Sequence, residues 1–414
     1  MISTRDMTKL IVPALDEEDL RRIAQTVFCA KAHLKKVRDS RRRRGRRYVF
    51  VEVILMALMA MVCGCNDAEE IADWVELHHE WLRLWFDLEH GNPSQDTFLR
   101  IFEIAKPKAL AEATRRWLAS LRPRLAKHIA IDGKALRGTR KTGQDKPTVH
   151  LVNAWLREAG LVLGQVKTHA KSNEIKAIPE LLKVLDIQGC IVTMDAAGCQ
   201  RKIVALIIAQ GGHYVVAVKE NQPTLLHDIE RLFAEAKDKR RRSVDEIPQP
   251  AVTSVREVDG GHGRIEERTV YLSRDLSWLT TADDWKGLCS VGLVEAKRTN
   301  EVTNKEQVES RYYIASDPSM TVERLMELIR RHWSVENELH WVLDVEFAED
   351  RSQIRSRNAA ENFGALRRMA LSLLKAAPAP KKRMSISRRR KYCDHSLEYL
   401  CAVLTAECPP EPTP

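Results

Sequence analysis

Apolar residues recur at steps of three and four positions over roughly the first 120 residues, a spacing typical of amphipathic helices. The segment 48–61 is apolar on nearly every side, which predicts a buried helix. Ser94, after the turn at Asn92 and Pro93, is a good N-cap, and Pro107 suits a first helical turn. The chain is therefore expected to begin with an all-helical domain, with helices at 16–33, 48–61, 68–78, 79–86, from Ser94 onward and at 108–121.

The pattern changes at Pro123, which ends the last of these helices, and short β-like runs follow. Three predicted strands and then alternating helices and strands indicate a mixed sheet with helices packed on it. After a charged, proline-spaced loop at 238–255, further β-like runs predict a β-rich insertion before the last long helix. The predicted strands are 128–133, 149–156, 160–169, 190–196 and 213–221, and the predicted helices are 174–185, 201–210 and 224–237.

The stretch 321–350 has apolar residues at helical steps throughout, which predicts one helix of about seven turns. Glu336 falls in its apolar stripe, where an ionised and unpaired carboxylate costs several kcal/mol. Glu338 falls on another face, since a helix turns about 100° per residue. We therefore expect Glu336 to face the interior and take part in chemistry, and Glu338 to face solvent. A pairing of Glu336 with a buried arginine or histidine that only holds the fold is the alternative, and the helix alone does not decide between them.

The net charge of +10 and the pI near 9.1 favour a polyanionic partner. Part of the basic charge is clustered in two blocks, at 41–47 and 381–391. Blocks of like charge also occur on solvated surfaces, so they indicate phosphate binding only beside other features of nucleic-acid binding.

Nine cysteines are scattered along the chain, and only Cys63 and Cys65 form a close pair. No second pair or histidine pair completes a zinc pattern, so reduced thiols in a cytoplasmic protein are expected. The longest apolar run, 51–63, is interrupted by Glu52 and is shorter than the ~20 residues that cross a bilayer. We expect no membrane association.

Two further carboxylates lie where predicted strands end. Asp132 ends the first strand of the mixed domain, and Asp195 ends a strand whose apolar run indicates a central position. Each alone is also a common turn residue, but strand ends are where α/β folds bind ligands. If both converge with Glu336, their repulsion requires divalent cations, and oxygen ligands suit Mg²⁺ or Mn²⁺. Two such ions would activate a water or a 3′-hydroxyl at a phosphodiester.

Several segments of the chain match a known family in order, from the first helices to about Lys375: NPSQDTFLRIF, AIDGKALRG, KSNEIKAIPELL, MDAAGCQ, VVAVKENQPTL and HWSVENELHWVLDVEFAEDRSQIRSRNAAENFGALRRMAL. The chain closely resembles the ISAs1-type insertion-sequence transposases, IS4-like enzymes that include the H-repeat-associated proteins. The resemblance implies an RNase H-like catalytic domain whose DDE triad falls on Asp132, Asp195 and Glu336, with two Mg²⁺ or Mn²⁺ ions and DNA strand transfer.

The expected organisation follows from the pattern and the resemblance together. Residues 1–122 would form the helical transposase-associated domain and bind DNA ends. Residues 123–375 would form the catalytic domain, an α/β fold with an RNase H-like mixed sheet, flanking helices and a β insertion at about 250–316. Residues 376–414 would form a basic C-terminal tail with a short helix near 396–406.

The chain departs from IS4-type enzymes around the catalytic glutamate. Those enzymes carry Tyr, Arg, Glu and Lys in the pattern Y-x2-R-x3-E-x6-K, whereas the corresponding positions here are Ile329, His332, Glu336 and Leu343. Arg331, His332 and His340 are candidates to replace the missing groups. The spacing of His332, Glu336 and His340 does not match a zinc-protease helix.

The remaining candidates for DNA contacts are polar residues near the predicted site and in the first basic block. A turn-capping role is the alternative for the residues around position 221. The candidates are Arg41, Arg42, Arg43, Arg44, Lys134, Lys219, Asn221, Gln222, Arg331, His332 and His340.

The sequence thus predicts a bacterial DNA transposase that cuts at element ends and joins them to target DNA. A homodimer is expected because two ends must be held together, and a cytoplasmic, nucleoid-associated location follows from the substrate. An inactive or domesticated DNA-binding protein and a structure-selective nuclease of the same fold are the alternatives.

Overall fold

The computed structural model describes residues 17–42, 46–121, 128–139, 148–168, 174–238, 251–261, 264–301 and 303–405. The chain divides into two compact units. The first unit comprises Met1–Leu125, Gly133–Lys171 and Glu336–Pro414, and the second comprises Ala126–Asp132 and Ser172–Val335. Within the described residues, no helix has both the length and the apolar surface needed to cross a bilayer.

The elements follow the predicted pattern closely. The helices are α1 (Glu17–Leu34), α2 (Phe50–Val62), α3 (Ala68–Leu77), α4 (His79–Leu82), α5 (Gln95–Ile104), α6 (Pro107–Leu121), α7 (Glu174–Leu182), α8 (Arg201–Ala209), α9 (Pro223–Lys237), α10 (Val322–Val335), α11 (Trp341–Val345), α12 (Ala359–Ala376), α13 (Ile386–His395) and α14 (Leu397–Thr405). The strands are β1 (His128–Leu136), β2 (Val149–Leu156), β3 (Leu161–Thr168), β4 (Ile191–Met194), β5 (His213–Val218), β6 (Val252–Gly261), β7 (Arg264–Ser273), β8 (Ser290–Asn300) and β9 (Glu306–Ala315).

The first unit gathers the N-terminal helices around α12. α2 is apolar except for Glu52, which pairs with Lys31, and it is buried along nearly its whole length. Asp67 caps α3 by accepting hydrogen bonds from the backbone amides of Glu69 and Glu70. α12 is also buried over most of its length. Its Asn362 donates hydrogen bonds to the carbonyl oxygens of Phe102 and Ala105 at the end of α5. The N-terminal helices and α12 therefore share one core.

The strands form a mixed sheet in the order β3-β2-β1-β4-β5-β9-β8-β7-β6. β1, β4 and β5 are parallel to one another, whereas β2 and β3 form an antiparallel hairpin. The boundary between the units falls within β1, after Asp132. The order β3-β2-β1-β4-β5, with helices following β3, β4 and β5, is the RNase H-like arrangement, and the predicted fold class is confirmed.

The predicted β insertion consists of β6 to β9, which pair antiparallel and join β5 through β9 in the second unit. α10 packs on these strands through Leu325, Leu328 and Ile329. Gly292 on β8 allows this approach, because a Cβ atom there would overlap the side chain of Leu325.

The long helix predicted at 321–350 is interrupted. α10 ends at Val335, and Glu336–His340 forms a π-helical turn before the short helix α11. A π turn holds one residue more than an α turn and so shifts the phase of the helix. Glu336 is exposed and Glu338 is half-buried, so the expectation that Glu336 faces the interior and Glu338 faces solvent was wrong.

The segment expected as a basic tail contains α13 and α14, in the first unit. Arg390 is buried and donates hydrogen bonds to the carbonyl oxygens of Met61 and Cys65. The predicted short helix near 396–406 is α14, which buries Leu400 and Val403 completely. Part of the basic run therefore serves packing rather than solvation.

Candidate active site

Asp132 and Asp195 follow paired positions on neighbouring parallel strands of the second unit. Ile131 of β1 pairs with Met194 of β4, and each aspartate is the next residue. Paired residues of parallel strands point to the same face, and neighbouring strands lie about 4.8 Å apart. The register therefore brings the two carboxylates side by side where β4 ends. Asp132 is half-buried, and Asp195 is exposed.

The turn after Asp195 is held by its own hydrogen bonds. Asp195 Oδ1 accepts from the backbone amide of Ala197 at 3.0 Å, which orients the carboxylate. The side-chain amide of Asn221 donates to Ala196 O at 2.8 Å, and that of Gln222 donates to Cys199 O, also at 2.8 Å. Asn221 and Gln222, expected to hold DNA, thus use these amide groups to support the turn that carries Asp195.

His332, at the position of the IS4-type arginine, contacts the strand that carries Asp195. Its Nδ1 lies 2.9 Å from Oγ1 of Thr193, and Thr193 is buried. Arg331, the preceding candidate, is half-buried and forms an ion pair with Glu327 on the same helix.

In the first unit, Glu336 begins the π turn, and its side chain is 64% exposed. Its Oε2 lies 3.5 Å from Nδ1 of His340, which is buried. The neighbouring acid Glu338 accepts a hydrogen bond from Arg157 at 3.0 Å. In the π turn, Glu336 is thus exposed to solvent and lies close to the buried His340. Glu338 instead contacts Arg157, which lies in the turn directly after β2.

Lys134, expected at the DNA, is instead buried in the first unit, with 6% of its surface exposed. Its Nζ donates to both carboxylate oxygens of Asp344 at 2.6 and 2.7 Å and lies 3.7 Å from Asp350. Burial raises the pKa of Asp344, and the Lys134 ammonium opposes that rise. The charge of Lys134 is therefore used inside the protein, by Asp344 and Asp350.

A second buried ion pair lies nearby in the chain. Glu349 and Arg368 are completely or almost completely buried, with Nη1 and Oε1 2.6 Å apart. Arg368 Nε also donates to Oδ1 of Asn153 on β2 at 2.6 Å. Complete burial alone would raise the pKa of Glu349, but the charges of Arg368 and Arg367 hold that pKa below its usual range.

The other DNA-binding candidates differ in exposure. Arg42 and Lys219 are exposed. Arg41 is half-buried and forms a two-point ion pair with Asp39. Arg43 and Arg44 lie outside the described residues.

Sequence reasoning missed Thr193 and His128, which lie on the strands that lead to the two aspartates, two residues before Asp195 and four residues before Asp132. His128 Nε2 is 2.9 Å from Oγ1 of Thr193, and both residues are buried. Their signal in the sequence is faint, because a polar residue at a buried position of a strand is recognised only when its strand is known to be central.

Comparison with known proteins identifies the family. The model for the transposase DDE domain matches residues 123–373, and the DDE_Tnp_1-associated model matches residues 31–118. The chain belongs to the DDE transposase family. This transposase is 34% identical over 377 residues to the Escherichia coli K12 protein named "H repeat-associated putative transposase YhhI", covering 90% of this chain and 96% of the relative. It is 33% identical over the same length to the "Putative transposase YncI" of Escherichia coli O157:H7, with 94% of that relative covered.

Family membership determines the chemistry of this transposase at a coarse level. DDE transposases are enzymes that act on DNA and use divalent metal ions. The expectations of a transposase, of DNA as partner and of divalent metal use are therefore confirmed, and a non-enzymatic DNA-binding protein is not favoured.

Proposed function

We propose that Asp132, Asp195 and Glu336 are the catalytic carboxylates of this transposase and that they bind two Mg²⁺ or Mn²⁺ ions. The observation that carries the proposal is the register of β1 and β4, which brings Asp132 and Asp195 side by side. Glu336 follows α10 directly, and one turn earlier on that helix His332 contacts β4. Carboxylate oxygens are the ligands that these hard cations prefer.

The three residues would act at two successive phosphodiester reactions. Two bound ions would activate a water and later a 3′-hydroxyl, and would stabilise the leaving oxygen. Asp195 is held for this task by the amide of Ala197, and Glu336 is backed by His340. No side chain forms a covalent bond to DNA in this scheme.

The remaining parts of the proposal concern DNA and assembly. The N-terminal helices, with the basic block at 41–47, would recognise the element's ends, and exposed Arg42 and Lys219 would contact phosphates. The active complex would be a homodimer, because two ends must be joined together. The transposase would act in the cytoplasm at the bacterial nucleoid.

The test is cleavage and joining of a labelled duplex that carries the element's own end, with Mg²⁺. Asp132→Asn, Asp195→Asn and Glu336→Gln should each lose more activity than the roughly 10- to 100-fold typical of residues that only support a metal ligand, while DNA binding is retained. Glu338→Gln is the matched control, because Glu338 lies on the same π turn but pairs with Arg157, and it should stay active.

Two outcomes would contradict the proposal. Full activity in Asp132→Asn or Glu336→Gln would exclude that residue from catalysis. Cleavage without any joined product in the wild type, under conditions where both ends are bound, would indicate a nuclease of the same fold.

A further inference from the structure

Three polar side chains form one hydrogen-bonded chain inside the second unit. His128 Nε2 lies 2.9 Å from Thr193 Oγ1, and the same oxygen lies 2.9 Å from His332 Nδ1. His128 is 0% exposed and Thr193 is 2% exposed. The three residues come from β1, β4 and α10, so a single hydroxyl connects two strands and a helix.

The strand register places His128 and Thr193 on the same faces of β1 and β4 as the two aspartates. Ala130 pairs with Thr193, and side chains alternate between the faces of a strand. His128, Ala130 and Asp132 therefore share one face of β1, and Thr193 and Asp195 share the corresponding face of β4. Because Ala130 is small, it leaves room for the imidazole of His128 to reach Thr193.

The helix completes the arrangement. His332 precedes Glu336 by four residues, close to one helical turn of 3.6 residues. His332 is half-buried, while Leu325, Leu328 and Ile329 of the same helix pack into the apolar core. Each element that carries one of the three carboxylates, or directly precedes it, thus contributes one member of the network.

The hydrogen-bond pattern of the network is restrictive. A threonine hydroxyl has one hydrogen to donate, so at least one of the two imidazole nitrogens must donate to it. The correct arrangement therefore requires the rings to hold compatible tautomers as well as positions. Replacing hydrogen-bonded partners by apolar groups of the same shape can be nearly neutral or stabilising. Stability alone therefore does not account for the two buried polar groups and the half-buried His332, whereas directional bonds fix relative positions within narrow limits.

We propose that His128, Thr193 and His332 form a positioning network that sets the spacing of β1, β4 and α10 and thereby the geometry of the metal-binding carboxylates. The proposal rests on the proposed function, in which Asp132, Asp195 and Glu336 bind the ions. It also gives His332 a role inside the protein, through the contact of its Nδ1 with Thr193, in addition to the DNA contact expected from the sequence. Residues that hold metal ligands in place typically change metal affinity or activity 10- to 100-fold when they are removed.

The first test compares one variant that lacks the Thr193 hydroxyl with another that keeps it. Thr193→Val keeps the shape and loses the hydroxyl, whereas Thr193→Ser keeps the hydroxyl. For Thr193→Val we expect the Mn²⁺ concentration at half-maximal cleavage of the labelled element end to rise about 10- to 100-fold. Thr193→Ser should stay close to the wild type. Thermal unfolding is measured on the same samples, because a merely structural role would change the unfolding temperature without changing the metal dependence.

The second test uses the position of each nitrogen. An asparagine amide reaches the position of a histidine Nδ1, and a glutamine amide reaches that of Nε2. His332→Asn should therefore retain a metal dependence near that of the wild type, whereas His332→Gln should not. For His128, whose Nε2 is engaged, the preference should be reversed, with glutamine the better replacement.

The outcomes separate the network from the catalytic assignment. If Asp132→Asn abolishes cleavage but Thr193→Val has the metal dependence of the wild type, the network has no positioning role and the proposal is overturned. Equal behaviour of the asparagine and glutamine variants at both histidines would also overturn it. If Asp132→Asn cleaves normally, the carboxylate assignment itself has failed.

Discussion

At the scale of single residues, long-range ion pairs decide which charged groups are available for function. Lys134 and Asp344 are 210 positions apart in the chain, yet they meet in the first unit. Lys134 follows Asp132 by two residues and looks like a DNA contact in the sequence, yet its charge is used inside the protein. The same holds for Glu349, which is completely buried with Arg368. The number of basic residues in the sequence therefore overstates how many of them are available to contact DNA.

Breaking the Glu349–Arg368 pair should be costly. Glu349→Gln leaves the Arg368 guanidinium buried without its counterion, and we expect the free energy of unfolding to fall by about 3–5 kcal/mol. Denaturant unfolding measures this value. Glu267→Gln is the control, because its pair with Arg256 is partly exposed, with 31% and 62% of the two side chains accessible, and should contribute less than about 1 kcal/mol. A loss at Glu349 no larger than at Glu267 would contradict the importance of burial here.

The same pair predicts an acid-sensitive contribution to stability. The pKa of Glu349 is held below its ordinary value of 4.5, so its contribution is present above that pH and is lost as the pH falls through the lower, folded-state value. The free energy of unfolding of Glu349→Gln should therefore depend less steeply on pH below about 4.5 than that of the wild type.

At the scale of elements, the π turn at Glu336–His340 separates α10 from α11, although the apolar pattern predicted one continuous helix. Up to Val335 the helix packs on the sheet as its periodicity predicts. Leu339, within the π turn, and Leu343, after it, are buried again. The additional residue in the turn lets apolar positions on both sides stay buried while Glu336 between them is exposed. π turns are frequent at functional sites, and here one begins at the proposed catalytic glutamate.

Removing one residue from the turn should test its role. Deletion of the exposed Asn337 should restore an α-helical turn, which keeps the flanking helical residues in phase but removes the widened turn that exposes Glu336. We expect cleavage to fall about a hundredfold or more, as misplacement of reacting groups can cause, with a cooperative unfolding transition retained. Asn337→Ala, which keeps the length, should remain active. Normal activity of the deletion variant would show that the turn does not set the position of Glu336.

At the scale of the whole molecule, the N-terminal helices, α12 and the two C-terminal helices belong to one compact unit. The family models divide the same chain near residue 120, between residues 31–118 and 123–373. A family model matches one contiguous segment of the chain, whereas a compact unit is defined by the contacts between residues. α12 lies within the segment 123–373, but its Asn362, Arg367 and Arg368 form hydrogen bonds in the unit that contains the N-terminal helices.

The C-terminal helices should therefore be required for stability. A chain that ends at Arg383 lacks α13 and α14 and loses the buried side chains of Arg390, Leu400 and Val403. Each buried leucine or valine contributes about 1.5–3 kcal/mol, a large share of a typical total of 5–15 kcal/mol. We expect the shortened chain to unfold at a clearly lower temperature in calorimetry. Lys381→Gln with Lys382→Gln, both at exposed sites, should leave the unfolding temperature unchanged, and an unchanged temperature in the shortened chain would show that these helices are a dispensable tail.

The sequence by itself predicted most of the elements and the class of the sheet, and it singled out Asp132, Asp195 and Glu336 as candidates, because periodic burial and the position of a residue in its element depend on local order. The bounds of β2 agree with the prediction residue for residue. Only the tertiary structure decided that Lys134 is buried, that Asn221 and Gln222 support the turn of Asp195, that a π turn exposes Glu336, and that Thr193 joins two histidines. These facts depend on partners far away in the chain, and a local pattern carries no information on which distant group will satisfy a buried polar atom.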